Sequence, residues 1–465
     1  MKAAKLIVRN FGPLKEVNIS VTNFLCLIGK QATGKSTLAK LIAILENEKF
    51  TGDSFKEELM NYGLYDCLKE DTYISYSIDT TDERSLLYFT FTFENNKISF
   101  KNFKTNFEDF FKYELRNSSS ELRGISESIS NILSFIEGQI EKSNEYDINK
   151  IYKFINYYKI ESIFDSLSNE YKIISDNLAD LKNEIPSLSS SLRAKKINNL
   201  KNKFKILQKN TESELLSFYY RIISFLKLDA LYIPSERNFL HIISNNILGL
   251  INNNIQIPKH LLEIGQEYEK ALNQIKELPL KIIDNKFVYK REGKTSYIYH
   301  GKNEKTDLLK SASGLQSVLP ILLLIEHTKA LKEDYHYNYI IEEPELNIYP
   351  ETQYALIKYL IKSIFTFNKH GYQRKKLIIT THSPYILASI NNLLLAYEIG
   401  QEKYKETSKY ISASEWINPN NFNCYELRNG KAYKIMNHKL GQIKSNSIDG
   451  VSDKFSDEFD KLLNL

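Results

Sequence analysis

The fold is decided by residues 24–37, which read Phe24-Leu25-Cys26-Leu27-Ile28-Gly29-Lys30-Gln31-Ala32-Thr33-Gly34-Lys35-Ser36-Thr37. The first five residues are apolar and predict a buried parallel strand, residues 29–36 match the pattern G-x-x-x-x-G-K-[ST], and a helical pattern follows. The two glycines permit a tight bend whose backbone N–H groups can surround a phosphate, next to the positive end of the helix. A chance glycine-rich turn is the alternative, but the flanking strand and helix favour a P-loop.

Two side chains of this loop have defined expected roles. Lys35 is expected to reach the β- and γ-phosphates of a nucleotide, and the Ser36 hydroxyl is expected to bind magnesium. Alone, the loop predicts nucleotide binding without specifying a reaction.

The chain around the loop has the pattern of one α/β lobe. Apolar stretches at residues 5–8 and 17–21 flank the Gly12-Pro13 turn and predict a hairpin that leads into the P-loop strand. Short strands are predicted over residues 72–78, 85–93 and 97–100. We therefore assign residues 1–105 to the N-terminal part of a nucleotide-binding domain.

Length and composition limit the class of protein. The 465 residues can hold two or three domains, or one domain with a large insertion. A hydrophobic content of 42% and a net charge of +5 are ordinary for a soluble globular protein, and the total charge does not indicate nucleic-acid binding. Cys26, Cys67 and Cys424 are too scattered to indicate a disulfide framework or a zinc site. No apolar run is long enough to cross a bilayer and no signal-peptide core is present, so we expect a cytoplasmic protein without a membrane partner.

Residues 106–227 have a helical pattern with little Gly or Pro, and we assign them to an insertion. A heptad seam ends before Pro186 and a second helical run follows, which predicts an antiparallel helical hairpin, that is, a short coiled coil. An ordinary helical subdomain is the alternative. The seam consists of Ile160, Phe164, Leu167, Tyr171, Ile174, Leu178, Leu181 and Ile185.

A basic cluster follows the turn of this predicted hairpin. No acidic residue lies among its members, so it is either a solvated helix face or a contact for DNA phosphates or an acidic partner. The cluster comprises Arg193, Lys195, Lys196, Lys201, Lys203, Lys205 and Lys209.

The α/β pattern returns at residue 228. A short strand at residues 231–233 runs into the polar end Pro234-Ser235-Glu236-Arg237, of the kind that lines ligand crevices in α/β proteins. Further on, Ser313-Gly314-Leu315-Gln316 precedes an apolar helical run at residues 318–325. Small residues at a helix start make a second, weaker candidate phosphate site.

Two more strands end in charged or titratable residues. The strand at residues 339–341 is followed by Glu342-Glu343-Pro344-Glu345, and the strand at residues 376–381 by His382. Burying carboxylates at the end of a strand costs free energy unless they contact a cation or a hydrogen-bond network. They therefore indicate a metal and reaction site. Glu342 is then expected to hold magnesium and Glu343 to polarise the attacking water. An acidic loop before a helix is the alternative.

Four motifs follow one another along the chain: the P-loop, Ser313-Gly314-Leu315-Gln316, Glu342-Glu343-Pro344-Glu345 and the strand end at His382. In this order they resemble the motifs of an ABC-type ATPase head of the SMC, RecF and OLD-like group. The resemblance covers residues 1–100 and 228–395 and implies an α/β fold with a mixed sheet, ATP and Mg²⁺ as cofactors, and a coiled coil inserted between the two parts of the head. It makes Glu342 the Walker B acid, Glu343 the catalytic glutamate and His382 the switch histidine, with Lys35 the third catalytic candidate. The Walker A loop that would bind nucleotide comprises Gly29, Lys30, Gln31, Ala32, Thr33, Gly34, Lys35, Ser36 and Thr37.

The resemblance also implies a partner. Ser313, Gly314 and Gln316 resemble the signature motif, which in this group touches the γ-phosphate of the nucleotide held by the other subunit. A homodimer or higher homo-oligomer with composite sites is therefore expected.

This sequence departs from the family pattern at three positions. Leu315 replaces the second signature glycine, and Glu342 replaces the more usual Asp. No Gln lies between Gln31 and Gln139, so the Q-loop glutamine is missing at its expected distance. Ser235, Glu236 or Arg237 could supply that contact to nucleotide, and we select Arg237. If none does, hydrolysis is slow and nucleotide binding serves mainly as an assembly switch.

The last two parts are residues 228–396, the C-terminal part of the head, and residues 397–465. The latter are predicted to form a small strand hairpin across the turn at residues 428–431 and an acidic amphipathic helix from Ser452. OLD-like proteins often continue into a Toprim nuclease domain, and the segment around Glu398 faintly resembles the acidic start of such a domain. Because no D-x-D motif follows Glu398, we expect no Toprim nuclease in this chain.

Three functions are consistent with these features. The stand-alone head resembles ATPase subunits of bacterial anti-phage systems of the PARIS, Septu or retron type, in which ATP-driven dimerisation would control a separately encoded nuclease or toxin. A RecF- or SMC-like ATPase of DNA repair or chromosome maintenance is the second, and a scaffold that binds ATP with little hydrolysis is the third.

Overall fold

The computed structural model of the chain describes residues 3–47, 50, 52–78, 89–102, 228–243, 257–301, 304–331, 336–365, 375–437 and 439–463. Apart from Asn102, these residues belong to one of two compact units of the chain, formed by Met1–Asp79, Tyr88–Lys101 and Lys227–Leu465. The predicted coiled-coil hairpin and its basic cluster fall in the other unit, outside the described residues, and stay predictions.

The described residues form both strands and helices. The strands are β1 (Ala4–Phe11), β2 (Leu14–Val21), β3 (Phe24–Gly29), β4 (Tyr73–Ile78), β5 (Phe89–Glu94), β6 (Lys97–Asn102), β7 (Leu228–Ile233), β8 (Glu277–Pro279), β9 (Val288–Glu292), β10 (Thr295–Tyr299), β11 (Lys305–Asp307), β12 (His336–Glu342), β13 (Leu377–Thr381), β14 (Phe422–Arg428), β15 (Lys431–Lys434), β16 (Met436–Asn437) and β17 (Gln442–Ile443). The α-helices are α1 (Lys35–Glu46), α2 (Phe55–Asn61), α3 (Lys259–Gln274), α4 (Ser313–Ala330), α5 (Pro350–Phe365), α6 (Pro384–Glu402), α7 (Tyr404–Thr407) and α8 (Asp449–Leu463).

An eleven-stranded mixed sheet organises this unit, in the order β6-β5-β4-β1-β2-β15-β14-β3-β13-β12-β7. One half, β14-β3-β13-β12-β7, is parallel throughout. The other half contains the antiparallel pairs β1–β2, β1–β4 and β4–β5, as the N-terminal hairpin predicted from the sequence requires. The predicted α/β fold with a mixed sheet is therefore confirmed.

The P-loop strand β3 shows why its sequence is a continuous apolar run. All six of its residues are buried, because both faces of the sheet are covered. Phe24, Cys26 and Ile28 pack into a core with helices α3 to α6, whereas Leu25 and Leu27 pack into a second core that contains α1. The sheet thus lies between two helical layers.

The helix that follows the P-loop is fixed at its far end by a buried carboxylate. Glu46, the last residue of α1, accepts hydrogen bonds from Tyr76 of β4 and from Asn338 of β12, and pairs with Lys376. A charge in this position is tolerated because all three partners neutralise or hydrogen-bond it. These contacts join α1 to both halves of the sheet.

The C-terminal hairpin lies within the main sheet. The turn across residues 428–431 is formed as predicted, between antiparallel strands β14 and β15. Strand β14, however, lies directly beside β3 and parallel to it, with Cys424 opposite Cys26 and Leu427 opposite Gly29. The sequence predicts the hairpin but not this pairing, because local turn and strand signals carry no information about which distant strand becomes the neighbour.

A second, four-stranded sheet has the order β11-β10-β9-β8 and is antiparallel. It lies in the sequence between α3 and α4. Among the described residues, no helix is long and apolar enough to cross a membrane.

Candidate nucleotide site

The P-loop follows β3 with the two backbone bends that its glycines permit. Gly29 has φ = +145° and Gly34 has φ = +96°, both in the region that favours glycine. A Cβ at Gly29 would lie 2.5 Å from the carbonyl oxygen of Leu427, and one at Gly34 would lie 2.5 Å from Cδ2 of Leu14. A side chain would therefore be strained at both positions, and strand β14 packs directly against the loop at Gly29.

Lys35 is held inside the loop by the loop's own backbone. Its ammonium group donates hydrogen bonds to the carbonyl oxygens of Gly29 at 3.0 Å and Lys30 at 2.9 Å. Burial lowers the pKa of Lys35, while the nearby carboxylates of Glu343, Glu342 and Glu345 raise it part of the way. The P-loop lysine and the acidic loop after β12 are thus close enough to interact electrostatically.

Glu342 ends strand β12 and is nearly inaccessible, with 3% of its surface exposed. Burial raises the pKa of its carboxyl group, while the hydroxyls of Tyr232 and Ser36 beside it lower it. Its Oε1 is buried and has no hydrogen-bond partner among the described residues. A buried carboxylate oxygen without a partner, next to the P-loop serine, fits a magnesium ion.

The described residues contain no group of three or more His, Cys, Asp and Glu side chains that could hold a metal ion by themselves. Magnesium commonly takes only one or two protein oxygens and completes its shell with phosphate oxygens and water. The pair Ser36 and Glu342 therefore suits a metal that arrives with a nucleotide.

Glu343 has an unusual backbone conformation, with φ = +41°. Its N–H donates to the carbonyl oxygen of Thr380 at 2.9 Å, and its own carbonyl oxygen accepts from Arg237 at 2.7 Å. Non-glycine residues in this region are strained and persist where surrounding contacts determine them, often at functional sites.

The side chain of Glu343 faces His382. Its Oε1 lies 3.5 Å from Nε2 of His382, which follows β13. The contact with His382 is the main cause that lowers the pKa of Glu343, and the charges of His382, Lys35 and Arg237 act in the same direction against the effect of burial. The carboxylate is therefore ionised at neutral pH and able to act as a proton acceptor.

Glu345 has no separate role in the sequence-based prediction, but it fixes His382 in place. Its Oε1 accepts hydrogen bonds from the Thr381 hydroxyl and from the backbone N–H of His382, both at 2.8 Å. Burial raises the pKa of Glu345. The last acid of the Glu-Glu-Pro-Glu motif could have suggested this role, since a buried carboxylate needs donors and the neighbouring strand end supplies them.

The signature residues begin helix α4. A Cβ on Gly314 would lie 2.5 Å from the carbonyl oxygen of Asn347, so this glycine allows close contact with the loop after the acids. The side chain of Gln316 donates to the carbonyl oxygens of Leu309 and Ser311, on the segment before the helix. Ser313 is exposed at the first position of α4. The contacts described here place the signature beside the acidic loop, not in the P-loop of the same chain.

Arg237 forms hydrogen bonds with backbone groups of the protein itself. Its side chain is completely buried, with 0% exposed, and burial lowers its pKa to about 10. The guanidinium donates to four backbone carbonyl oxygens, those of Pro234, Ser317, Glu342 and Glu343. These hydrogen bonds hold the acidic loop and α4 together, and the contact of Arg237 with nucleotide in place of the Q-loop glutamine stays a prediction.

The parallel sheet explains which predicted residues meet. Strands β3, β12 and β13 run in the same direction, so their carboxyl ends lie at one edge, with Ile28 opposite Thr381 and Thr380 opposite Glu342. Lys35, Ser36, Glu342, Glu343 and His382 are thus brought together, although nearly 350 residues separate the first from the last in the sequence. Arg237, Glu345 and Tyr232 support this group.

Comparisons with solved structures return several ATPase heads at low sequence identity. An Smc head domain from Pyrococcus furiosus, bound to the C-terminal domain of ScpA, has 10% identity and a TM-score of 0.33, with 94% of this chain and 96% of that chain covered. The SMC head domain from Thermotoga maritima has 9% identity and a TM-score of 0.34, with 94% and 98% covered. The recombination mediator protein RecF has 13% identity and a TM-score of 0.29, with 93% and 99% covered. At such TM-scores these similarities carry no functional argument.

No curated protein matches the chain. A family model does: the model for the AAA ATPase domain (AAA_15) matches residues 1–387, which include the P-loop, the signature residues, the acidic loop and His382. The chain, an α/β P-loop protein by its fold, therefore belongs to this AAA ATPase domain family.

Proposed function

We propose that this chain binds ATP with Mg²⁺ and hydrolyses it at the edge formed by β3, β12 and β13. The observation that carries the proposal is the meeting of Lys35, the partnerless oxygen of Glu342 and the Glu343–His382 pair at that edge. A site that only binds nucleotide needs Lys35. A site that hydrolyses the nucleotide also needs the Glu342 oxygen and the Glu343–His382 pair.

In this proposal Ser36 and Glu342 hold the metal, which neutralises charge on the β- and γ-phosphates. Lys35 has its donors on loop carbonyls, and an ammonium group can exchange these for phosphate oxygens without a large movement. The loop N–H groups and the start of α1 bind the remaining phosphate oxygens.

Glu343 is the proposed general base. It orients a water molecule whose oxygen bonds to the γ-phosphorus while the bond to the bridging oxygen of ADP breaks, and it accepts the proton that this water loses. His382 lowers the pKa of Glu343, and in this proposal it also contacts the γ-phosphate. The products are ADP and phosphate.

We further propose that two copies form composite sites in a head-to-tail dimer. Ser313 is exposed at the start of α4, and Gly314 is small enough for close contact, so this surface suits the γ-phosphate of a nucleotide in a second copy. Arg237 would then transmit nucleotide contacts between α4 and the acidic loop, since it is bound to both.

Mixing two inactive variants tests the composite site. Glu343→Gln lacks the base in both sites of a dimer, and Ser313→Arg blocks the signature of both, so each variant alone should be inactive. In a mixed dimer one site combines the intact base of one chain with the intact signature of the other. Mixed dimers form when equal amounts of the two variants are unfolded and refolded together or are co-expressed. Phosphate release should then recover to about a quarter of the wild-type rate, because half of the dimers are mixed and each mixed dimer has one working site. No recovery in a mixture shown to contain mixed dimers would contradict the composite site.

The biological role that we propose is ATP-controlled sensing in anti-phage defence, in which the dimer controls a separately encoded effector. A DNA-maintenance ATPase of the SMC or RecF kind is the alternative. Purification of the Glu343→Gln protein with ATP from its native host distinguishes them. A co-purified nuclease or toxin supports the first, whereas DNA alone, removed by nuclease treatment or high salt, supports the second.

A further inference from the structure

A cavity lined by both polar and apolar side chains contains no residue of the P-loop. Its volume is about 130 Å³, and its walls come from His241 after β7, helix α3, the β9–β10 hairpin, and the end of β11 with the turn that follows it. Arg291, Lys294, Ser296 and Tyr268 contribute basic groups and hydroxyls to it. None of these residues belongs to the proposed ATP site.

Arg291 has a hydrogen-bond donor that no other described residue uses. Its Nε is buried and has no partner in the part of the chain that the structure describes, while Nη1 donates to the hydroxyl of Ser296 at 3.1 Å. Among the described residues it forms no ion pair. A buried N–H without an acceptor costs about 1–3 kcal/mol, so an oxyanion that reached this donor would bind favourably.

The cavity's other groups favour an anion as that acceptor. Lys294 is exposed at the turn of the hairpin and lines the cavity. The single carboxylate in the lining, that of Asp307, already accepts a hydrogen bond from the N–H of Leu309 at 2.9 Å. The volume equals that of about four water molecules, which is room for a tetrahedral oxyanion.

We propose that this cavity binds a phosphate-sized oxyanion, either free phosphate or the phosphoryl group of a small phosphomonoester. The guanidinium of Arg291 binds two of its oxygens, and the hydroxyl of Ser296 and the ammonium of Lys294 bind the others.

The cavity is connected to the signature helix by two hydrogen bonds. Nε2 of His241 lies 2.8 Å from the carbonyl oxygen of Gln316, which can only accept, so this nitrogen carries the proton. Nδ1 therefore accepts from the hydroxyl of Tyr268, also at 2.8 Å, and Tyr268 lines the cavity. An anion that fixes this wall should thus stabilise the first turn of α4. The consequence for catalysis rests on the proposed ATPase function, but the binding itself does not.

Calorimetric titration with inorganic phosphate tests the site. Because a P-loop also binds phosphate, the full-length protein is first saturated with a non-hydrolysable ATP analogue, and one further site should remain. Arg291→Gln should weaken phosphate binding about tenfold or more, the loss expected for one charge-assisted hydrogen bond. Lys290→Gln is the matched control, since Lys290 is next in sequence, pairs with Glu277 and does not line the cavity. Lys294→Gln, on the exposed turn, provides a second variant without a folding risk and should also weaken binding.

Glycerol phosphate, titrated in parallel, separates the two sources of the anion. Tighter binding than that of inorganic phosphate assigns the site to a phosphomonoester, and weaker binding assigns it to free phosphate. Absence of phosphate binding by the wild-type protein, or equal binding by wild type and both cavity variants, would overturn the proposal and leave a water-filled cavity. If the ATP analogue fails to bind, the proposed ATPase function fails, while phosphate binding sensitive to Arg291→Gln still establishes this site.

Hydrogen exchange tests the connection to α4. Phosphate should slow amide exchange over residues 313–317 in the wild type, but not in Arg291→Gln. Tyr268→Phe removes the hydroxyl that binds His241, and it should keep phosphate binding while losing this protection. Protection of residues 313–317 that persists in Tyr268→Phe contradicts the proposed connection.

Discussion

At the scale of single residues, the site depends on how Glu343 is held. Its strained backbone is fixed by Thr380 and Arg237, and its side chain is paired with His382. Glu342 beside it has the opposite electrostatic environment, because burial raises its pKa whereas His382 lowers that of Glu343. Two consecutive carboxylates thus acquire different chemistry, one as a metal ligand and one as a base.

The pH dependence of hydrolysis should report the Glu343–His382 pair. The rate requires ionised Glu343, so it falls on the acidic side as this group is protonated. His382→Asn removes the main cause that lowers the Glu343 pKa, so the acidic limb of the pH–rate profile should move to higher pH, in addition to any loss of rate. The measurement is kcat against pH for both proteins. If the acidic limb of the profile lies at the same pH in wild type and His382→Asn, then His382 does not control the pKa of Glu343.

Arg237 should matter for stability and for catalysis without contacting nucleotide. Arg237→Leu leaves four carbonyl oxygens without their donor, so we expect the free energy of unfolding to fall by about 3–5 kcal/mol. Chemical denaturation measures this loss, and Arg9→Leu is the control, since Arg9 is exposed on β1 and its guanidinium lies over the ring of Tyr73.

Catalysis distinguishes this positioning role from a nucleotide contact. Arg237→Lys keeps the positive charge but lacks the planar guanidinium whose N–H groups reach several carbonyl oxygens. This variant should lower kcat while ATP affinity stays close to wild type. A variant that loses ATP affinity and keeps kcat would instead support the contact predicted from the sequence.

At the scale of elements, strand β14 is the part of the fold that local sequence signals do not place. It lies between β15 and β3 in the main sheet, and its Leu427 carbonyl lies against Gly29 of the P-loop. The segment after residue 397 therefore helps to build the nucleotide site. Helix α8, by contrast, has Phe455 66% exposed and Phe459 61% exposed, and contributes little to the described core.

Two truncations should separate these roles. Ending the chain at residue 396 removes the end of α6 and all of β14, and it exposes the edge of β3, so the protein should be insoluble or molten and should not bind ATP. Ending it at residue 446 removes only α8 and should leave solubility and ATP affinity unchanged. Expression, circular dichroism and nucleotide titration of both forms give the result. A well-folded protein of 396 residues that binds ATP would contradict the importance of β14.

Sequence patterns could predict every strand that carries the site, but not all contacts between them. Residues 24–28, 339–341 and 376–381 are apolar runs followed by polar residues, and this local pattern is enough to place Lys35, Glu342 and His382 at strand ends. The function of Arg237 could not be predicted, since a charged residue at a strand end gives the same pattern whether it faces solvent or the backbone of a distant loop. Its four acceptors come from three separate segments that only the tertiary fold brings together.

At the scale of the whole molecule, the described unit is an AAA ATPase domain in which both parts of the chain complete one sheet. The N-terminal part supplies the P-loop, and the part after residue 228 supplies the acids, His382 and the signature. In the proposed dimer, ATP would bind between these groups of two copies. Light scattering should then give a dimer mass for Glu343→Gln with ATP, and a monomer mass for Lys35→Ala under the same conditions.

The most direct test of the proposed hydrolytic site is the rate of phosphate release from ATP by wild type and Glu343→Gln, with ATP affinity measured on the same samples. Glu351→Gln serves as the control, because Glu351 is an exposed carboxylate on α5. We expect Glu343→Gln to lose about a hundredfold or more in kcat, the contribution typical of a general base, and to bind ATP as tightly as wild type. The Glu351→Gln rate should not change. Equal phosphate release by wild type and Glu343→Gln would contradict the assignment of this site.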